Sequence, residues 1–354
     1  MPDNRIANQS SDPPPGTPRD RDNRYYRLLA GGARTKLLEA FLDLRIPELL
    51  GGTGRLTAAE ICKRLDLDLH RGWKFLHLLA MNDLLDERDG EFGADSTTFD
   101  LSAAAREYYG EKGTDGYFFR DLVTYWRNVS ELPLVEVLKG MALPRAVRWP
   151  PPDPAAAEHL EGWMRVTAEG AVHTIVSSGA LKGARKLLDV GGGDGTIGCA
   201  LVREYPGLAV TVFNLPASAA IARRTIEANG CADRVAVHVG DFLADELPAG
   251  FDRVMYSRVL TDWEPGVCVM LLEKARRALT DDGRLLINEA LCDGNRDYAL
   301  SWEFRYLFYD TFGRAMFKPL DVYGKLLDQA GLRIARVAPM TDVAFYSVIE
   351  AVKK

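Results

Sequence analysis

Long apolar runs are missing from this 354-residue chain. No stretch approaches the ~20 residues that cross a bilayer, so no membrane span is expected. The amino terminus has no apolar signal core either. Cysteine is scarce and scattered: Cys62, Cys199, Cys231, Cys268 and Cys292 form no C-x-x-C pair. That argues against a disulfide framework or a thiolate zinc site, and for a reducing cytoplasm. His70, His77, His159, His173 and His238 show no metal-ligand spacing, and no metal is expected. A surplus of positive charge is absent too. With 44 Lys and Arg against 50 Asp and Glu, the net charge is -6, and no basic face stands out to track nucleic acid. What the chain does have is length for two domains with full cores.

Residues 1–22 read as an unstructured Pro/Asp/Arg-rich tail. From about Tyr25 to Leu50 the pattern is helical, with Leu28, Leu29, Leu37, Leu38, Phe41 and Leu42 on one face. Thr57, followed three residues later by Glu60, predicts a capped helix start. A second helix runs from about His70 to Asn82, then Leu84–Glu87, Asp89-Gly90 and Glu91-Phe92 read as strand, turn and strand. Helix, helix and hairpin describe a winged helix over 23–112. A DNA-reading second helix should be rich in Lys and Arg, whereas this one offers only Arg71 and Lys74 beside Trp73, Phe75 and Leu76. A packing or dimerisation role suits it better. Residues 113–180 form a helical segment with Phe118, Phe119, Tyr125 and Trp126, interrupted by five prolines between Pro144 and Pro154. One helix is expected from about Ala155 to Leu181 and the domain boundary near residue 180, with this helix belonging to either side.

Residues 181–354 alternate strand and helix. Strands are expected at Lys186–Val190, Leu208–Phe213, Val235–Val239, Arg253–Ser257 and Arg284–Glu289. Helices fall between them, which predicts an α/β fold with a Rossmann-like, doubly wound parallel sheet. Leu332–Val337 and Ala344–Val352 are spaced as a hairpin, giving an antiparallel carboxy-terminal edge.

The first of these strands ends in Asp189-Val190-Gly191-Gly192-Gly193-Asp194-Gly195. Glycine tolerates positive φ and lets a ligand approach the backbone. A dinucleotide fingerprint spaces its glycines G-x-G-x-x-G and keeps the position of Asp189 apolar. Carboxylates here would repel a pyrophosphate but suit an ammonium and a sulfonium, as in S-adenosylmethionine. The later strands end in fitting residues: Asn214, with Leu215, for ribose hydroxyls, Asp241 and Phe242 for adenine, then Ser257 and Arg258. Asp241 equally fits a loop-capping role.

With these motifs, Asp262-Trp263, and the helix end from Tyr323 to Leu332, the chain resembles the class I S-adenosylmethionine-dependent O-methyltransferases. It is most similar to the caffeate-type and bacterial natural-product enzymes with an amino-terminal winged-helix dimerisation domain. The resemblance implies a cytoplasmic homodimer of secondary metabolism, such as antibiotic biosynthesis, with a substrate pocket between its domains. It implies that Asp189, Gly191 and Gly193 hold the methionine end and that Trp163 and Met164 line the pocket. Trp126, Trp302 and Tyr306 fall in segments that, by the same resemblance, surround a small aromatic acceptor.

The family's base does not carry over. A histidine before Asp-Trp usually deprotonates the acceptor, flanked by two glutamates; Thr261 stands in its place, and a threonine hydroxyl is no general base. The first glutamate matches Glu289, the second position reads Ala315, and the ribose acid is Asn214. Three accounts fit: methyl transfer by proximity, with Glu289, Glu303, Asp262 or His173 as candidate bases; methylation of carbon or nitrogen; or a non-methylating reaction such as hydroxylation, decarboxylation, cyclisation or a pericyclic step. A winged-helix regulator that binds the ligand without turnover is a fourth.

Overall fold

The computed structural model describes residues 18–88, 96–109, 120, 123–124, 126–128, 131–143, 150–293, 296–308, 317–341 and 344–354, with side chains from Tyr25 onward except at 305–306. Packing divides the chain into two compact units, Met1–Leu132 and Pro133–Lys354. The units meet at Leu132/Pro133, and the helices before the glycine loop pack in the second unit, one of the two sides that the sequence leaves open.

The first unit comprises α1 (Pro18–Asp43), α2 (Ile46–Thr53), β1 (Leu56–Thr57), α3 (Ala58–Leu65), α4 (Leu69–Ala80), β2 (Leu85–Arg88), β3 (Thr98–Leu101) and α5 (Ala103–Tyr109). Helical backbone therefore begins inside the segment read as a tail. The single helix expected over 25–50 is two, because Arg45 is left-handed (φ 55°) and Pro47 opens the next helix. The Thr57–Glu60 capping box is present: the Thr57 hydroxyl accepts from the Glu60 N–H, and the Glu60 carboxylate accepts from the Thr57 N–H. Strand order is β1-β3-β2, antiparallel. The expected turn and strand at Asp89–Phe92 lie outside the described residues; β2 pairs with Thr98–Leu101 instead, whose Phe99 and Leu101 enter the core with Phe41, Ile61, Leu76 and Leu79. Phe118, Phe119 and Tyr125 also lie outside the described residues.

The second unit runs α6 (Leu134–Leu138), α7 (Pro154–Val166), α8 (Ala168–Ser178), β4 (Lys186–Val190), α9 (Thr196–Glu204), β5 (Ala209–Asn214), α10 (Pro216–Ala228), β6 (Val235–Val239), β7 (Phe251–Ser257), a 3-10 turn (Leu260–Asp262), α11 (Pro265–Ala278), β8 (Leu279–Glu289), α12 (Arg296–Glu303), a second 3-10 turn (Phe304–Phe308), α13 (Leu320–Gln329), β9 (Leu332–Ala338) and β10 (Ser347–Lys353). Its seven-stranded sheet has the order β6-β5-β4-β7-β8-β10-β9. The pairs from β6 to β8 are parallel, and β10 lies antiparallel to both β8 and β9, the expected edge hairpin. Alternate side chains of each strand feed opposite faces. Leu188 and Val190 pack towards α11 and α13, while Leu187 faces the layer holding α8, α9 and α10. Burial on both faces explains the near-continuous apolar runs.

Instead of one helix from Ala155 to Leu181, α7 and α8 meet in a break at Thr167 (φ -96°, ψ 5°). The break is held from the bend that follows β7. The Arg258 guanidinium donates to the Met164 carbonyl at 3.1 Å from both terminal nitrogens, and to the Thr167 hydroxyl. A continuous helix would give that carbonyl to the Ala168 N–H. A cation on terminal helix carbonyls also offsets the negative end of the helix dipole.

Candidate active site

From β4 the chain winds towards β5 and β6 on one side, and the sheet continues through β7 and β8 on the other. The carboxyl ends of β4 and β7 therefore border the crevice where such sheets bind ligands. Val190 lies opposite Tyr256, so the glycine loop and Ser257-Arg258 leave the sheet side by side. Gly191 and Gly193 have φ of 71° and 58°, a region costly for side-chain-bearing residues. A Cβ on Gly191 would sit 3.0 Å from Val259 Cγ2, and one on Gly192 would sit 2.5 Å from Asp189 Oδ2. The loop is thus a cradle of bare backbone.

Asp189, the penultimate residue of β4, is fully buried, and neither carboxylate oxygen has a hydrogen-bond partner among the described residues. Burial pushes its pKa up to about 7, against the pull of the Arg258 charge. An unpaired buried carboxylate is costly, and a cationic or hydrogen-donating ligand removes the cost. The amino acid end of S-adenosylmethionine supplies an ammonium, so these residues fit that cofactor. One cleft is lined by Asp189, Gly191, Gly192, Gly193, Asp194, Ser257 and Arg258, with Met164, Ala168, Thr196 and Ile197. Asp194 accepts from the Thr196 N–H at 3.0 Å and pairs with Arg165 at 2.6 Å, which occupies the guanidinium.

Asn214 and Asp241 turn their polar atoms onto the chain itself. Asn214 Nδ2 donates to the Gly193 carbonyl at 3.1 Å, and Oδ1 accepts from the Leu215 N–H at 2.9 Å. Asp241 Oδ1 accepts from the Leu243 N–H at 2.8 Å, the loop-capping role. Phe242 is buried edge-on against Trp263, with ring centroids 5.8 Å apart. This loop hangs on one buried ammonium: Lys274 Nζ donates to the carbonyls of Phe242 (2.9 Å), Leu243 (3.2 Å) and Asp245 (2.8 Å).

A second cleft shares Met164 and Arg258 with the first, and adds Thr167, Thr261, Asp262, Glu289, Ala290, Tyr298, Trp302, Phe317 and Tyr346. Here Glu289 binds the 3-10 turn. Its Oε1 accepts from the N–H groups of Val259 (2.8 Å), Leu260 (2.8 Å) and Thr261 (3.4 Å), and its Oε2 accepts from the Thr261 hydroxyl at 2.8 Å. Burial pushes Glu289 up to about 7, opposed first by the Thr261 hydrogen bond. The turn is held from its other side by buried Lys318, which donates to the carbonyls of Leu260 (2.8 Å) and Thr261 (3.3 Å). Arg258 joins the clefts from a left-handed conformation (φ 60°), a strain of about 1–3 kcal/mol sustained by the bonds described above.

Other candidate residues stand apart. Glu303 lines neither cleft and accepts from the Phe317 N–H at 2.7 Å. His173 lines neither as well, with Nδ1 3.4 Å from the Thr341 hydroxyl. Trp163 is half-buried on α7 outside both linings, and Trp126 belongs to the first unit. The Tyr306 side chain and Ala315 lie outside the described residues; Phe317 is what that segment brings to the second cleft. Sequence reasoning missed Lys274, Lys318 and Glu161. For Glu161 a signal existed: with Ala157 it lies at i, i+4 on the buried face of α7.

Residues 153–333 match the model of an O-methyltransferase domain. The chain is 29% identical over 293 residues to demethylspheroidene O-methyltransferase of Cereibacter sphaeroides, covering 79% of this chain and 73% of that one. It is 29% identical over 279 residues to 3-hydroxy-5-methyl-1-naphthoate 3-O-methyltransferase of Streptomyces sahachiroi, covering 76% and 77%. Among solved structures, the S-adenosylmethionine-dependent methyltransferase SibL in its apo form superposes with a TM-score of 0.74 at 25% identity, over 92% of this chain and 97% of that one.

Proposed function

The chain belongs to the O-methyltransferase family and is an S-adenosylmethionine-dependent methyltransferase, and from that premise we propose that it methylates a small aromatic natural-product intermediate by proximity, without a protein base at the acceptor. When bound, the cofactor supplies a methyl group already activated on a sulfonium. The protein's part is to align and to exclude water. Asp189 and the glycine loop would hold the amino acid end, while Arg258 fixes Met164 where the two clefts meet.

The observation that carries this reading is the Thr261–Glu289 hydrogen bond. Thr261 donates its only hydroxyl proton to Glu289 and has none left to give. Glu289 spends both oxygens on the 3-10 turn. Neither is disposed to take a proton from an acceptor without dismantling the turn, so the acceptor would arrive as an anion. Trp302, Tyr298, Phe317 and Tyr346 offer a largely apolar lining suited to a flat ring. The naphthoate named for the Streptomyces sahachiroi relative supports an aromatic substrate class.

Incubation with methyl-labelled cofactor and a panel of phenols, keto acids and amines tests the reading. Labelled phenolic product is expected, with a rate changed only a few-fold in Thr261→His. A gain beyond roughly 10²-fold, the scale of general base catalysis, would mean that a missing base limits the enzyme. Cofactor binding with no methylated product from any acceptor would favour non-methylating chemistry.

The proposal extends to a homodimer built through the first unit. Tyr25, Tyr26, Leu28 and Leu29 are each 64–75% exposed on α1, more apolar surface than one amphipathic helix needs to present to water. The free thiols of Cys62, Cys199, Cys231, Cys268 and Cys292 suit a reducing compartment.

A further inference from the structure

Glu161 is a buried carboxylate with no part in the account above. It projects from α7 and is only 4% exposed. A Cβ on Gly193 would lie 2.7 Å from its Oε2, so the carboxylate sits directly over the glycine loop. The Ser218 hydroxyl, in the first turn of α10, donates to it. Gly193 follows β4 and Ser218 follows β5, so Glu161 spans the ends of the two strands between which a ribose would be read. Asp194 raises its pKa and the Arg258 and Arg165 charges lower it, with burial the largest influence, upwards.

At the end of β5, Asn214 is an uncharged amide with both polar atoms already engaged on the chain. Its amide nitrogen holds the Gly193 carbonyl and its oxygen holds the Leu215 N–H. An aspartate there could not donate to Gly193, so the amide serves as a clip for the loop. We propose that Glu161, rather than Asn214, is the carboxylate that recognises the ribose hydroxyls of the adenosyl cofactor. Asp189, whose Oδ2 would lie 2.5 Å from a Cβ on the neighbouring Gly192 and whose oxygens are both unpartnered among the described residues, independently marks the loop as a ligand site. The inference rests on the cofactor, not on the acceptor or on turnover.

The test is calorimetric binding of S-adenosylhomocysteine and its 2′,3′-dideoxyribosyl analogue, with no acceptor present. A failure of methyl transfer therefore leaves this readout untouched. Wild-type protein should prefer the diol by roughly tenfold or more, the size of hydrogen bonds to a charged acceptor. That preference should shrink stepwise through Glu161→Gln to Glu161→Ala, with affinity for the dideoxy analogue unchanged. An equal loss for both ligands would assign Glu161 a scaffold role and overturn the proposal, as would an intact preference in both variants. A crystal structure of the wild type with S-adenosylhomocysteine covers the case of a misfolded variant. A Glu161 oxygen is expected within about 3.2 Å of a ribose hydroxyl; hydroxyls bonded by Asn214 alone would refute it.

Discussion

Burial of Asp189, with both oxygens unbonded among the described residues, pushes its pKa up to about 7. An unfolded aspartate releases its proton near pH 3.9. The folded pKa is the higher one, so the stability linked to this proton is full below about pH 4 and is lost as pH rises through about 7. In cofactor-free protein, Asp189→Asn should therefore melt higher than wild type at pH 8, by about 2–4 °C for each ~1 kcal/mol relieved. The two should converge near pH 4. The same variant should bind S-adenosylmethionine more weakly by roughly tenfold or more, since the ammonium loses its partner. A lower melting temperature for Asp189→Asn at pH 8 would contradict this description. That Asp189 is unusual was legible from an acid placed inside an apolar strand end. Lys318 was not legible in the sequence, because burial of a charged side chain depends on what other elements lay over it; for Glu161 the only local signal was its i, i+4 spacing from Ala157.

At the scale of elements, the apolar pattern located β4 and β6 to the residue: β4 is buried on both faces and its run ends where the glycine loop begins, while β6 is an edge strand whose alternate valines mark its span. The break at Thr167 left no such mark. It is held by Arg258, 91 residues downstream, and a helical pattern carries no trace of a cation arriving from the bend after β7. The loop Asp241–Asp245 is a similar case. Lys274→Met leaves three carbonyls around Asp241–Asp245 without their shared donor, at about 2–3 kcal/mol. Its melting temperature should fall by several degrees. Affinity for S-adenosylhomocysteine and for adenosine should drop together, since the loop is proposed to seat the base that both carry. Unchanged melting of Lys274→Met would show that water replaces the ammonium at no cost.

For the molecule as a whole, the two units divide the work: the second carries both clefts, and the first carries the exposed α1 face. Replacing Leu28 and Leu29 together with Asp should convert the proposed dimer to a monomer in light scattering at micromolar protein, with the melting of the second unit unchanged. A wild-type chain that is monomeric at that concentration would remove the dimer from the account. The doubly wound sheet and its antiparallel edge were readable from the order of elements, because right-handed parallel crossovers leave few alternatives. The position of the unit boundary was not, since α7 and α8 look the same in sequence whichever unit they pack against.

The central claim is that the acceptor, and no protein base, supplies the nucleophilic anion beside Thr261. The most direct measurement is the pH dependence of kcat/KM across phenolic acceptors of graded acidity, because that ratio reports ionisations of the free enzyme and free substrate. The predicted result is a rising limb whose midpoint follows each acceptor's own pKa. A midpoint fixed near pH 7 for every acceptor, and lost in Glu289→Gln, would contradict the claim and make Glu289 the base.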